Sequence, residues 1–292
     1  MQSLAGAAVS RFVSRFLLFS FFDVLLFIVL SPFTYSAAVP GQQEENSASL
    51  GELEARAASG DAAAQFQLAF HLFQASNPPN YSAILAWLRS SATQHYAPAQ
   101  CTLGYLYEKG LGLPRDYAKA AENYHAAALQ GDSIAQNNLG YLFYTGHGVH
   151  KDLDAAFEWY RAAAEQGDPT GEGNLGYLYY LGQGTGRDYD EAAKWFRPAA
   201  QQGNPYAQAA LGLLYEKGQG VPLDYVSAYI WYSRAISGGL KASGESRKSL
   251  THLLTPKQLD QANTLLKAEA GQPRTLQQQS TPSAPAAFVQ SH

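Results

Sequence analysis

The chain has 292 residues, 46% of them apolar, with 20 Lys and Arg against 24 Asp and Glu, for a formal net charge of −4. No basic block interrupts its middle, which leaves a polyanion such as nucleic acid nothing to grip. With a single cysteine, Cys101, neither an intramolecular disulfide nor a multi-cysteine metal site can form.

Residues 1–38 read as a targeting segment. Arg11 and Arg15 precede an apolar run from Phe16 to Leu30, interrupted by Ser20 and Asp23, and Ser36-Ala37-Ala38 supplies small side chains for cleavage. The run falls short of the roughly 18 to 20 apolar residues of a spanning helix, and Asp23 near its centre would cost about 2.5 to 3.5 kcal/mol there. The layout predicts a cleaved signal peptide, with an uncleaved membrane anchor over residues 16–30 as the alternative. Either form places the rest of the chain outside the cytoplasm, periplasmic or secreted. Residues 39–50 are a polar linker. A half-unit helix from Leu53 to Ser59, stopped at Gly60, opens a folded region set at residues 51–243.

Inside that region Leu-Gly recurs at Leu103-Gly104, Leu139-Gly140, Leu175-Gly176 and Leu211-Gly212, a period of 36 residues. A period of that size marks stacked supersecondary units, each burying its apolar face against its neighbours. In the unit Ala135 to Thr170, the residues Ala135, Leu139, Leu142 and Phe143 fall on one face of a first helix. Ala155, Ala156, Trp159, Tyr160, Ala163 and Ala164 mark a second helix, and Ala192, Ala193, Trp195, Phe196, Ala199 and Ala200 repeat it with one register of slack. The glycine after each leucine has no side chain and lets the two helices approach, offsetting a helix-propensity cost of roughly 1 kcal/mol. Asp116, Asp152, Asp188 and Asp224 precede the second helices as N-caps, with capping-box spacing between Asp188 and Glu191. Gly131, Gly167 and Gly203 close those helices; Asp132, Asp168 and Asn204 cap the next first helices, two of them followed by Pro169 and Pro205.

Five units begin near Ala64, Ala99, Ala135, Gly171 and Ala207. The first is degenerate, with Leu68-Ala69 for Leu-Gly, as a terminal unit with one neighbour is expected to be. Two capping helices follow over residues 244–268. Leu250, Leu253 and Leu254 suggest a short one, and Thr255-Pro256-Lys257-Gln258 is a capping box that starts a last helix carrying Leu259, Ala262, Leu265 and Leu266. Residues 269–292, rich in Gln, Ser and Pro, form a disordered tail.

The pattern A-x-x-x-L-G-x-x-Y, G-x-G, D-x-x-x-A, W-Y-x-x-A-A, G-D resembles Sel1-like repeats, relatives of the tetratricopeptide repeat. The resemblance implies an all-α, right-handed α-solenoid of five helical hairpins whose concave side is lined by first helices. It further implies an exported protein-interaction scaffold, without cofactor or catalytic residues, that binds a protein or peptide partner, and a membrane contact only through an uncleaved anchor. A cell-wall or carbohydrate binding module is the alternative.

Following i, i+4 and i+7 along the non-core face of the first helices gives Cys101, Tyr105 and Glu108, then Asn137, Tyr141 and Tyr144, then Gly173, Tyr177 and Tyr180, then Ala209, Leu213 and Glu216. Tyr105, Tyr141, Tyr144, Tyr177 and Tyr180, with Asn138 and Asn174, are the expected partner-binding residues, since rigid amphipathic rings and amides suit peptide grooves. The same tyrosines could equally pack on one another between adjacent helices. Some cysteine-rich relatives are credited with β-lactam binding or hydrolysis, but no Ser-x-x-Lys, Gly-x-Ser-x-Gly or paired cysteines occur here. His147 and His150 lack a third metal ligand in sequence, and the Gly-x-Gly loops join helices without a following Gly-Lys-Ser or Gly-Lys-Thr. No enzyme activity and no metal are expected.

Overall fold

The computed structural model describes residues 50–75 and 78–270. The expected targeting segment, most of the linker and nearly all of the expected tail lie outside them. Among the described residues the fold is all-α, with thirteen helices and no strand: α1 (50–58), α2 (Ala62–Ala75), α3 (Tyr81–Thr93), α4 (Ala97–Lys109), α5 (Tyr117–Ala128), α6 (Ser133–Thr145), α7 (Leu153–Glu165), α8 (Pro169–Leu181), α9 (Tyr189–Gln201), α10 (Pro205–Lys217), α11 (Tyr225–Ser237), α12 (Ser243–Leu250) and α13 (Pro256–Ala270). Each helix from α2 to α11 packs on the next, and α13 returns to α11, so the described residues form an α-solenoid of five helix pairs, α2–α3 to α10–α11, closed by two further helices. No described helix is long and apolar enough to cross a membrane.

The expected ends form where the chain encodes them. Asp116, Asp152, Asp188 and Asp224 accept from backbone amides in the first turns of α5, α7, α9 and α11, and Asp132, Asp168 and Asn204 do the same for α6, α8 and α10. Between Asp188 and Glu191 only half of the capping box forms. The Asp188 amide is already taken by the carbonyl of Tyr179, as those of Asp116, Asp152 and Asp224 are by Tyr107, Phe143 and Tyr215, and Glu191 turns to Lys194. These four bonds tie each second helix back to its own first helix. At Thr255 and Gln258 both halves form.

The Leu-Gly landmarks sit at the crossing of each pair. A Cβ on Gly104, Gly140, Gly176 or Gly212 would lie 2.7–3.0 Å from the ring of Tyr124, Tyr160, Phe196 or Tyr232. The aromatic ring occupies the space the missing side chain vacates. In the first unit Ala69 stands in the glycine position and the ring is replaced by Leu88, both fully buried. The register slack expected between α7 and α9 is absent. Ala156, Trp159, Tyr160 and Ala163 correspond to Ala192, Trp195, Phe196 and Ala199 at a constant 36, and it is Phe157 that aligns with Ala193.

Units are joined by the second glycine of each inter-helix loop. Gly148, Gly184 and Gly220 have φ of +65° to +71°, and a Cβ on them would lie 2.0–2.2 Å from the carbonyl groups of Tyr117, Leu153 and Tyr189, at the start of the preceding unit's second helix. Only a residue without a side chain can sit there in that conformation. At the C-terminus the helix expected around Leu250 to Leu254 lies earlier, at Ser243–Leu250. Leu250 and Leu254 seal the core from its end and the following turn, while Leu253 is 57% exposed. α12 is polar along most of its length, so apolar spacing marked its last residue alone.

Candidate binding surface

The first helices form the inner wall. Along α4, α6 and α8 no residue is more than partly exposed, whereas the second helices keep an open face bearing Glu122 and His125 on α5, Glu158 and Arg161 on α7, and Lys194 and Arg197 on α9. Charge is therefore segregated: α6 carries none, and α8 carries only Glu172.

On that wall the expected residues divide in two. Tyr105 and Tyr177 are each 5% exposed and belong to the packed cores. Tyr141, Tyr144 and Tyr180, with Asn138 and Asn174, are half-buried, with part of each reaching the surface. The Tyr144 hydroxyl donates to Gln183 Oε1 of the next unit's loop (3.0 Å), and Lys151 Nζ lies 5.8 Å from its ring centroid. Tyr180 stacks on Tyr177 (6.4 Å between centroids) and meets Tyr189 at 5.4 Å. Asn174 donates to Asn137 Oδ1 across the unit boundary (2.8 Å), and Asn137 donates to Asn138 at 3.5 Å. Burial pushes the phenols of Tyr105, Tyr144 and Tyr180 up, which keeps them neutral hydrogen-bonding groups.

Three contributors were not singled out from sequence as binding residues: Asn137, Gln183 and His147. The signal was present, because His147 and Gln183 hold the same loop position 36 residues apart. His147 stacks on Tyr117 at 4.8 Å and meets the edge of Tyr141 at 6.3 Å, so its ring extends the aromatic strip. His150 is exposed and its Nδ1 lies 3.1 Å from the Lys151 carbonyl; among the described residues no three potential ligands come together to hold a metal ion. Cys101 is buried beside Asp132, and burial together with that carboxylate pushes its thiol well up, so it is an unreactive small hydrophobe.

The position at the end of each first helix separates the units. Glu108 in the second unit and Glu216 in the fifth accept from the hydroxyls of Tyr124 (2.8 Å) and Tyr232 (2.9 Å) and each pairs with the next residue, Lys109 or Lys217. In the third and fourth units Tyr144 and Tyr180 stand there instead, above Tyr160 and Phe196. This position is thus aromatic and uncharged in the third and fourth units and carries a carboxylate–lysine pair in the second and fifth.

The Sel1 repeat family model matches residues 62–96, 97–132, 133–168, 171–204 and 205–240, together more than half of the chain. The chain belongs to the Sel1 repeat family. It is similar to the crystal structure of a protective antigen present in uropathogenic Escherichia coli strains, which displays an SLR fold, with 34% identity over 76% of this chain and a TM-score of 0.67. This chain spans about half of that protein, 49% of its length. It is also similar to a Sel1 repeat protein from Oxalobacter formigenes, with 29% identity, 73% of this chain and 86% of that one covered, and a TM-score of 0.62. Comparison with curated proteins finds no match. Sel1 repeats generally serve as scaffolds for protein–protein interaction, and this chain is a Sel1 repeat scaffold.

Proposed function

We propose that this Sel1 repeat scaffold works outside the cytoplasm and binds an extended segment of a partner protein along the inner wall of its third and fourth units. The observation that carries this reading is the neutral strip of Tyr141, Tyr144, Tyr180, Asn138 and Asn174, half-buried and bordered at both ends by Glu108 and Glu216. Half-buried rings are already ordered by their neighbours, so a partner gains contact area without the cost of immobilising them, about 0.5 to 1.5 kcal/mol for each mobile side chain. Amides and phenols beside them supply donors and acceptors for an extended backbone. The signal-like residues 1–38 support export.

The test is site-specific photocrosslinking in the source cell, with the crosslinking residue placed at 144 or 180 on the inner wall, or at 158 or 194 on the outer face. Protein adducts confined to the inner positions are the expected result. Adducts confined to the outer positions, or an array that is retained on glycan and crosslinks to no protein, would overturn it. A reporter active only outside the cytoplasm, fused after the last repeat, checks the export half separately.

A further inference from the structure

A second periodic feature runs through the inner wall and joins helices without taking part in the proposed binding. Gln65, Gln100, Gln136, Glu172 and Gln208 share one position in the five units. In four of them the side-chain amide donates to a carbonyl ending the preceding helix: Gln65 to Ala57, Gln100 to Ala92, Gln136 to Ala128 and Gln208 to Ala200, at 3.0–3.3 Å. At the other end Gln94, Gln130 and Gln166 donate to the Oε1 atoms of Gln65, Gln100 and Gln136, at 2.7–2.9 Å. The joints at Gln65, Gln100 and Gln136 are thus relays of side-chain bonds, each stitching three helices.

The fourth unit breaks the pattern at one atom. Gln202 still donates to Glu172 Oε2 (3.0 Å), but Glu172 has an oxygen where the other units have an NH2 group. The carbonyl at the equivalent place is that of Ala164, which, like its counterparts Ala128 and Ala200, already accepts from a glycine amide of the closing turn. Its neighbour differs as well. Gly171 replaces alanine, and a Cβ there would lie 2.7 Å from the Cβ of Ala163, so α8 approaches α7 more closely here than where alanine fits.

Little around Glu172 favours its charge. α6 has no acidic or basic residue beyond its tyrosine phenols; on α7 Arg161 and Glu165 are exposed and 3.8 Å apart; on α9 Glu191 pairs with Lys194, and Asp190 and Arg197 are exposed; on α10 Glu216 and Lys217 lie at the far end. The charged group that bears on it is Asp168, another anion. Burial, with Asp168, raises the Glu172 carboxyl from 4.5 to about 7, against the hydrogen bond from Gln202.

We propose that the joint between the third and fourth units is operated by a proton: neutral Glu172 donates to the Ala164 carbonyl and completes the relay, and ionised Glu172 opposes that carbonyl and slackens the joint. The folded carboxyl holds its proton more tightly than the unfolded chain does. The stability it contributes is therefore fully present below about pH 4.5 and is lost as pH rises through about 7.

Denaturant unfolding of the full chain at pH 5 and pH 8 tests this, comparing the native protein with Glu172→Gln and with Gln136→Glu, which moves the carboxylate one joint back. The unfolding constant of the native protein should rise between the two pH values by on the order of 10²-fold more than that of Glu172→Gln. Gln136→Glu should acquire an additional rise of the same sign. Independently of any substitution, the Glu172 carboxyl followed by NMR should titrate near pH 7. Parallel pH profiles for the native protein and Glu172→Gln, or a Glu172 midpoint below pH 5, would overturn the proposal.

Discussion

The second and fifth units differ from the third and fourth at several inner positions, and the one at the end of the first helix separates folding from recognition. In the outer pair a carboxylate, Glu108 or Glu216, accepts from the tyrosine hydroxyl beneath it. In the central pair a tyrosine takes the carboxylate's place, and in the fourth unit the ring beneath loses its hydroxyl to become Phe196. The two helices, the aspartate cap of the second helix and the Leu-Gly crossing recur in all four. A position that the fold can fill with either a carboxylate or an aromatic ring is free to carry specificity, and this chain uses it to distinguish its middle from its ends.

The comparison can be broken at its foundation or refined at its edges. The largest effect is expected from Gly148→Ala, since both the left-handed backbone and the Tyr117 carbonyl 2.2 Å from the new Cβ oppose it. A loss of about 3 kcal/mol or more in denaturant unfolding is expected, and an unchanged midpoint would remove the loop glycine from the account of how units join. Next comes Tyr124→Phe, which takes from the buried Glu108 its tyrosine donor and should cost about 1 to 3 kcal/mol. The same change at Tyr160 should cost under about 0.5 kcal/mol, because the fourth unit already carries phenylalanine there. Equal losses at the two sites would erase the distinction between outer and central units. Combining Glu108→Tyr with Tyr124→Phe gives the second unit the tyrosine–phenylalanine pair of the fourth, and should restore most of what Tyr124→Phe alone loses, measured in the same way. The smallest effect is a gain. Gln208 Oε1 is a buried acceptor without a donor because the fifth unit has Gly238 where the others have glutamine. Gly238→Gln has an ordinary φ of −79°, but its Cβ meets that of Pro205 at 3.1 Å. About 0.5 kcal/mol of added stability is expected, read from the unfolding midpoint.

Most of the architecture was legible in the sequence because its causes are local and repeated. Asp152 announces α7, Gly167 its end and Asp168 the next helix, and Leu139-Gly140 the crossing, each through chemistry confined to a few neighbouring residues. What escaped was set by contacts across units. The glutamine relay has no apolar periodicity to betray it, although its recurrence at 36 was visible. Gly148 could be read as a loop residue but not as the one that rests on Tyr117, which requires the stacked partner. α12 was misplaced because its helix is held by α11 rather than by its own pattern. The candidate stripe was legible as positions but not as exposures: Tyr105 and Tyr177 turn into the cores, while the five residues that reach the surface are those of the third and fourth units.

The loop glycines bear on how such a chain can change over time. Because Gly148, Gly184 and Gly220 rest on main-chain carbonyl groups, which every sequence possesses, these three contacts make almost no demand on which side chain stands at the position they meet. A duplicated or borrowed hairpin would find this part of its seat ready made. The ladder can therefore be lengthened, shortened or given new rungs by recombination, with selection acting afterwards on the few inward residues that differ.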